Sequence, residues 1–291
     1  MQIGFTGVGL MGGAMVARLL AHGHGVRVIA HRNRAPVDAA VAVGAVESRD
    51  MAHLVDGADA VFLCVSDSVA VAGAIDAMTP HLREGQVIVD TSTSDPEATR
   101  AVAARLETRG VAFVDAPMTG GPEQVRAGEA GVLVGADPGS LARVRPLIAT
   151  YANRILHFGP VGAGHTAKLV SNSLAISMIA AIAETYATAR AAGIDWRMLY
   201  EAQLQGSTHS GALKKMIGPA LQGDYDGYAF SIANALKDID YFLKMSDGLG
   251  ASPVLAPIVA DLFRRAAADG LGAMHVSRLI DPAHKDVSLR C

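Results

Sequence analysis

The chain has 291 residues, 51% of them hydrophobic and 18% charged, enough for two domains of ordinary size with ample core. A formal net charge of −3 supplies no basic face, so neither nucleic acid nor an anionic membrane is expected as a partner. Two cysteines make no disulfide framework and fit a reducing compartment, with the cytoplasm the expected location.

The first apolar run is short and broken by glycine, with no basic region before it and no small-residue cleavage site after it, so it is not expected to be a signal peptide. It reads instead as a strand, Ile3 to Thr6, turning into a helix, Leu10 to His22, across Gly7, Gly9 and Gly12. That spacing suits a dinucleotide. Gly7 permits a sharp turn, Gly9 has no Cβ to block a pyrophosphate, and Gly12 lets helix and strand pack closely. Leu10 and Met11 head a helix whose free N–H groups and dipole would face the phosphates, and they join the three glycines as cofactor residues.

A second strand, Val26 to Ala30, ends in His31-Arg32-Asn33-Arg34, with no acid until Asp38. An NAD-specific domain presents Asp or Glu there to the ribose 2′-OH, whereas arginine suits a 2′-phosphate. NADP(H) is therefore expected over NAD(H), with Arg32 the first choice and Arg34 in support; a solvated basic turn is the alternative. Further strands are expected at Ala60 to Val65, Val87 to Asp90, Ala112 to Val114 and Gly131 to Val134, separated by Ala-rich helical stretches. Such alternation implies an α/β, doubly wound, mostly parallel sheet.

Two segments follow strand ends, where such folds bind ligands. In Asp90 to Pro96, hydroxyl groups could meet a nicotinamide or substrate, with Thr93 assigned to the cofactor, and Ser94 or Asp95 could also cap a helix with Pro96 in its first position. Asp115 to Gly121 would present backbone N–H groups beside the Thr119 hydroxyl, a set suited to a carboxylate, although a plain loop fits equally. From Gly164 onward the strand signal disappears. Ala163 to Ala192 reads as one long helix ending at Gly193, with Lys168 and Asn172 four apart on one face. A helical Lys is ordinarily a surface residue, but on an otherwise apolar face its pKa falls toward a range useful for proton transfer. The uncharged part of this helix, Leu169 to Ala183, is too short and too polar to be expected to span a bilayer. Further helices are expected at Arg197 to Gln205, Gly211 to Leu221, Ser231 to Leu249 and Pro253 to Ala268. The chain thus divides into a dinucleotide-binding Rossmann domain, 1–162, and an all-helical substrate and oligomerisation domain, 163–291. The histidines make no ligand-spaced cluster, and no metal is expected.

Together these segments resemble the β-hydroxyacid dehydrogenase family. GFTGVGLMG matches its glycine motif, Asp90 to Pro96 its D-x-S-T-x-x-P, Asp115 to Gly121 its D-A-P-V-S-G-G, and Gly162 to Asn172 its G-x-G-x-x-x-K-x-x-N-N. The resemblance implies oxidoreduction of a small carboxylate substrate, with Lys168 as general acid or base and Asn172 holding substrate. Thr119, Gly120 and Gly121 would hold the carboxylate, and Lys237, paired in sequence with Asp238, would approach substrate and cofactor. Arg32 falls on the Arg of the family's NADP-using members. The substrate would be a small 3-hydroxy acid or its semialdehyde and the assembly a homodimer or homotetramer; imine reduction and a non-catalytic NADP-binding sensor are the alternatives. Met118 for Val, Thr119 for Ser and Ser171 for Asn depart from the pattern, and the bulkier Met118 is expected to reshape the pocket. His165 could line the pocket, and His209, in a divergent Gly206 to Gly211 segment, could touch substrate or stand solvated in its loop.

Overall fold

The computed structural model describes residues 1–31 and 33–284. They fall into two compact units, Met1–Lys168 and Leu169–Cys291, with the boundary inside one long helix.

In the first unit the elements run β1 (Gln2–Thr6), α1 (Leu10–Ala21), β2 (Gly25–Ile29), α2 (Ala35–Ala42), β3 (Val46–Ser48), α3 (Met51–Val55), β4 (Ala60–Leu63), α4 (Ser68–Met78), β5 (Val87–Asp90), α5 (Pro96–Glu107), β6 (Ala112–Asp115), β7 (Met118–Thr119), α6 (Pro122–Ala127), β8 (Ala130–Gly135), α7 (Pro138–Ile148) and β9 (Ala152–Gly159). The sheet order is β3-β2-β1-β4-β5-β6-β8-β7, with β9 on β8. Strands β1 to β6 are parallel, while β8 runs antiparallel to β6 and β7. Their order is that of a Rossmann sheet, and it reverses direction between β1 and β4, which places a ligand crevice at the carboxyl ends there. Every residue of β4 and β5 is buried, as expected where helices cover both faces. One face packs Phe5, Met15, Leu19, Phe62 and Val89. The other packs Leu54, Leu63, Ile75, Ile88 and Phe113.

Three strands lie outside the sequence-based expectation. β3 and β7 are too short to make an apolar run. β9 is an edge strand, and most of its ANRILHFG residues are exposed, so it carries no continuous buried pattern to read. Asp95 caps α5 by accepting the Glu97 N–H at 2.9 Å, ahead of Pro96, so of the two candidate caps it is Asp95 that serves.

Helix α8 (Ala163–Ala191) crosses the boundary and is followed by α9 (Trp196–Gln205), α10 (Gly211–Ala220), α11 (Ile232–Gly248) and α12 (Leu255–Ala266). It ends at Gly193 with φ +69°, a left-handed cap that glycine adopts without strain. By length and composition α8 alone among the described residues would be long and apolar enough to cross a membrane. Its Ile176, Ile179, Ala183 and Tyr186 are instead core residues of the second unit, packed with Met216, Ile239 and Phe263. The unit is helical, as expected. A wide turn at Ala267–Leu271 ends α12, and a short 3-10 helix follows at Val276–Ile280.

Candidate active site

At the turn from β1 to α1 the three glycines have three different physical reasons. Gly7 has φ +91°, and a Cβ there would lie 2.1 Å from the Cys64 carbonyl oxygen. A Cβ on Gly12 would lie 2.0 Å from the Gly7 carbonyl oxygen and 3.0 Å from the Phe5 ring. Around Gly9 a Cβ would meet nothing within 4 Å. Gly9 is also the N-cap of α1 and gives it no side-chain cap, so the first N–H groups, at Leu10 and Met11, are left for another acceptor. The turn fits a pyrophosphate: open where the ligand would approach and closed where the scaffold packs. Beside it, burial pushes the Cys64 thiol up to about 11, so it stays protonated and is no nucleophile at neutral pH.

The glycine geometry separates stability from binding. Gly9→Ala is expected to keep the wild-type melting temperature and lose NADPH affinity, because its methyl enters empty space over the turn. Gly12→Ala is expected to lose about 1–3 kcal/mol of stability or more through overpacking. Thermal melts and NADPH fluorescence titrations check both; a Gly9→Ala protein that binds NADPH as tightly as wild type would refute the cradle.

At the end of β2, Arg34 is already engaged. Its guanidinium donates to both carboxylate oxygens of Glu47 at 3.0 and 2.8 Å and pairs with Asp38 at 3.1 Å. It is therefore not poised as the expected support for a 2′-phosphate. Arg32 lies outside the described residues.

The carboxyl ends of β5 and β6 build the most heavily bonded part of the unit. Asp90 and Asp115 are register partners on adjacent parallel strands, and both are fully buried. Most hydroxyls of the Asp90–Pro96 run serve the scaffold. Thr91 donates to the Leu63 carbonyl at 2.7 Å, Ser92 accepts the Val65 N–H at 3.0 Å, and Ser94 donates to Asp90 at 3.3 Å. Thr93 is half-buried, whereas every other residue of the run is buried. It is thus the residue of this loop with surface exposed.

Asp115 holds the start of α8. Its Oδ1 accepts the Gly162 N–H at 2.7 Å and its Oδ2 the His165 N–H at 2.8 Å, a carboxylate satisfying the otherwise orphan donors of a helix N-terminus. Burial pushes the Asp115 carboxyl up, while His165 and the two N–H groups pull it back. The approach is close enough to demand glycine on both sides. A Cβ on Gly164 would lie 2.5 Å from the Leu133 carbonyl oxygen, and one on Gly135 would lie 2.5 Å from Asp115 Oδ1. The Gly-x-Gly before the Lys is thus explained by docking, with Gly162 supplying a φ of +92°. Lys168 follows one turn later, half-buried.

His165 does not line a pocket. It is fully buried, with Nδ1 2.8 Å from the Thr99 hydroxyl and Nε2 3.1 Å from the Ser92 carbonyl. The sequence shows only a histidine in the first turn of a helix; its partners, 50 to 75 residues away, are brought to it by the fold.

Thr119 lies in β7, where a Cβ on Gly131 would come within 2.3 Å of its Oγ1, so Gly131 makes its room. Gly120 has φ +97°, and the Gly121 N–H donates to Gln124 Oε1 at 2.8 Å, heading α6. Met118 is buried in the core cluster of the first unit, contrary to the expectation that it reshapes the site.

In the second unit, Asn172, one turn along α8 from Lys168, donates to Asp238 Oδ2 at 2.6 Å. Asp238 is buried, and Lys237 Nζ lies 2.9 Å from its other oxygen and 5.2 Å from the centroid of the Tyr241 ring. The bond orients the Asn172 amide, leaving its carbonyl oxygen directed away from Asp238. His209 is exposed on the rim of a separate cavity of about 330 Å³ lined by Met178, Ile182, Tyr186 and Leu213.

Comparison with known proteins agrees with this geometry. Residues 2–159 match the NAD binding domain of 6-phosphogluconate dehydrogenase, and residues 162–283 match the NAD-binding domain of NADP-dependent 3-hydroxyisobutyrate dehydrogenase. An NAD-dependent L-serine dehydrogenase of Pseudomonas aeruginosa is 30% identical, over 97% of this chain and 98% of its own. A 3-hydroxyisobutyrate dehydrogenase of the same organism is also 30% identical, over 90% of this chain and 91% of its own. The solved Mycobacterium tuberculosis 3-hydroxyisobutyrate dehydrogenase with L-serine superposes with a TM-score of 0.88 at 27% identity, covering 98% of this chain and 99% of that one. With a glycine turn at the switch point of a Rossmann sheet and family matches spanning both units, the chain belongs to the β-hydroxyacid dehydrogenase family, NAD(P)-dependent oxidoreductases of hydroxy acids.

Proposed function

We propose that the chain interconverts a small 3-hydroxy acid and its semialdehyde, preferring NADP(H) and using NAD(H) less well. The single observation that carries this reading is the placement of Lys168, one turn into a helix that Asp115 fixes to the carboxyl edge of the sheet bearing the glycine turn. When bound, the reduced nicotinamide supplies the hydride. Lys168 gives its proton to the substrate carbonyl oxygen as that oxygen becomes an alkoxide, and its positive charge stabilises the developing anion. In the oxidative direction it takes the proton back. Asn172 orients the substrate, and the Thr119 hydroxyl with the Gly120–Gly121 turn, whose Gly121 N–H is already given to Gln124, holds its carboxylate. Lys237, braced by Asp238, adds positive charge for substrate and coenzyme. Gly7, Gly9, Leu10, Met11, Gly12 and Thr93 bind the coenzyme. A lysine placed to donate a proton favours an aldehyde over an imine, and a sensor module has no need of one.

The coenzyme preference follows from charge. Asp38, the first acid after β2, pairs with Arg34, as does Glu47, so the carboxylates near this strand end are already matched to a guanidinium. Arg32 is then the group for a 2′-phosphate. Arg32→Asp is expected to raise the KM for NADPH about 10- to 100-fold, the worth of one or two hydrogen bonds between charged groups, and to narrow the gap to NADH. Unchanged preference would remove Arg32 from that role.

Exposed Val170 and Leu174 on α8 provide an apolar surface for a second copy, so the proposal includes a homodimer or homotetramer. The reading is tested by initial rates of NADPH and NADH oxidation over tartronate, succinic and methylmalonate semialdehydes and glyoxylate. Fast NADPH-dependent reduction of one of them is expected; coenzyme binding with no turnover across the panel would overturn the substrate class.

A further inference from the structure

We propose that His165 is a positioning residue for the reaction: its imidazole fixes the angle at which the first turn of α8 leaves the sheet, and so the place of Lys168. This rests on the reading of Lys168 as the proton donor.

The ring is fully buried and bonded at both nitrogens. Nε2 faces the Ser92 carbonyl, which can only accept, so Nε2 carries a proton. Nδ1 faces the Thr99 hydroxyl at 2.8 Å, and that oxygen also lies 3.0 Å from the Asp95 carbonyl. A neutral ring accepts the Thr99 proton. A doubly protonated ring donates to Thr99 Oγ1, which then donates to Asp95, and either way every partner is satisfied. The flanking carboxylates are Asp90, 3.8 Å from Nε2, and Asp115, 4.0 Å from Nδ1. The His165 backbone N–H adds the bond to Asp115 Oδ2.

One residue therefore ties α8 to three other segments: the loop after β5 through Ser92, α5 through Thr99, and the end of β6 through Asp115. Packing alone would hold a helix against a sheet but leave it free to rotate slightly about its axis. Directional bonds to fixed partners remove that freedom. Lys168 is three residues on, and a long side chain magnifies any rotation at its root. Misplacement of a reacting group by about 1 Å lowers rates by as much as 100-fold. The residue bonded through its carbonyl, Ser92, precedes Thr93, so the same contact keeps the Lys-bearing helix and the loop that carries Thr93 in register.

The test exploits which nitrogen each amide replaces. The side-chain nitrogen of Gln reaches the position of Nε2, whereas that of Asn reaches only Nδ1. His165→Asn is expected to lower kcat about 10- to 100-fold with the KM for NADPH nearly unchanged, and His165→Gln, which regains the Ser92 bond but not the Thr99 one, to restore only part of the loss. If kcat per folded molecule is unchanged in His165→Asn, or if Asn and Gln lose kcat equally and in step with melting temperature, the positioning role is overturned. Should the His165 variants not fold, Thr99→Val decides: a lowered kcat at constant KM supports the role and an unchanged kcat overturns it. Lys168→Ala is measured in parallel. Activity retained there defeats the reading of Lys168 itself, whereas an inactive Lys168→Ala beside a fully active His165→Asn defeats only the role of His165.

Discussion

Lys168→Ala is expected to lower kcat by about 10²- to 10⁴-fold, the usual contribution of a placed general acid, while the Kd for NADPH stays within about two-fold of wild type. The split follows from where the two functions sit. The glycine turn that receives the pyrophosphate is made by β1 and α1 and is closed by backbone contacts among Gly7, Gly12 and Cys64. Lys168 belongs to a different element, which Asp115 anchors at the end of β6. Removing its side chain deletes the proton and the charge at the substrate oxygen and leaves that turn intact. Lys168→Arg sharpens the point. A guanidinium keeps the charge but does not give up a proton in a protein, so it should retain electrostatic stabilisation and lose general acid catalysis, giving a kcat between those of Ala and wild type. Rates over pH 6 to 10 with NADPH titrations check the set. Loss of NADPH binding with kcat preserved would sink the assignment.

How far the sequence discloses this molecule depends on whether a feature is local. β1, β4 and β5 are continuous apolar runs because both faces of a parallel sheet are covered, and they are readable for that reason. β9 is not, because an edge strand whose residues are mostly exposed has no pattern to distinguish it from a loop. The glycine turn is legible because three separate constraints, a positive φ, an open approach and a close packing contact, each select glycine at a fixed spacing. The contacts among distant segments are illegible. Nothing in the sequence says that Asp115 accepts the N–H of Gly162, 47 residues later and just ahead of α8, or that Asn172 is oriented by Asp238, 66 residues away. For the same reason Arg34 looks available in the sequence, and only the pairing of β2 with β3 brings Glu47 to it. The burial of Met118 is illegible for a local reason: it lies in a two-residue strand, too short to leave an alternation to read.

Asp115→Ala is expected to produce the largest loss of stability, about 2–5 kcal/mol, because it leaves two buried N–H groups without an acceptor and removes a charge from a helix N-terminus. The N–H groups are those of Gly162 and His165, at a place where Gly135 and Gly164 pack directly against the carboxylate. Asp115→Asn should cost less: it keeps the volume and one acceptor, although its NH₂ group must then face an N–H donor. The two variants differ from wild type in a further way, since neither titrates. Burial holds the Asp115 carboxyl above its ordinary value of 3.8 in the folded state. A raised folded-state pKa means that the native protein keeps the proton longer than the unfolded chain, so the contribution of Asp115 is full below 3.8 and declines as pH rises through the raised value. The stability gap between wild type and Asp115→Asn should therefore be widest below pH 3.8 and narrow as pH rises through the raised value, while the orphaned N–H groups of Asp115→Ala keep that variant the least stable throughout. Urea titrations across this range measure both gaps. A gap that widens with pH would mean that the N–H groups and His165 outweigh burial, and that Asp115 enters the fold as a fully ionised cap.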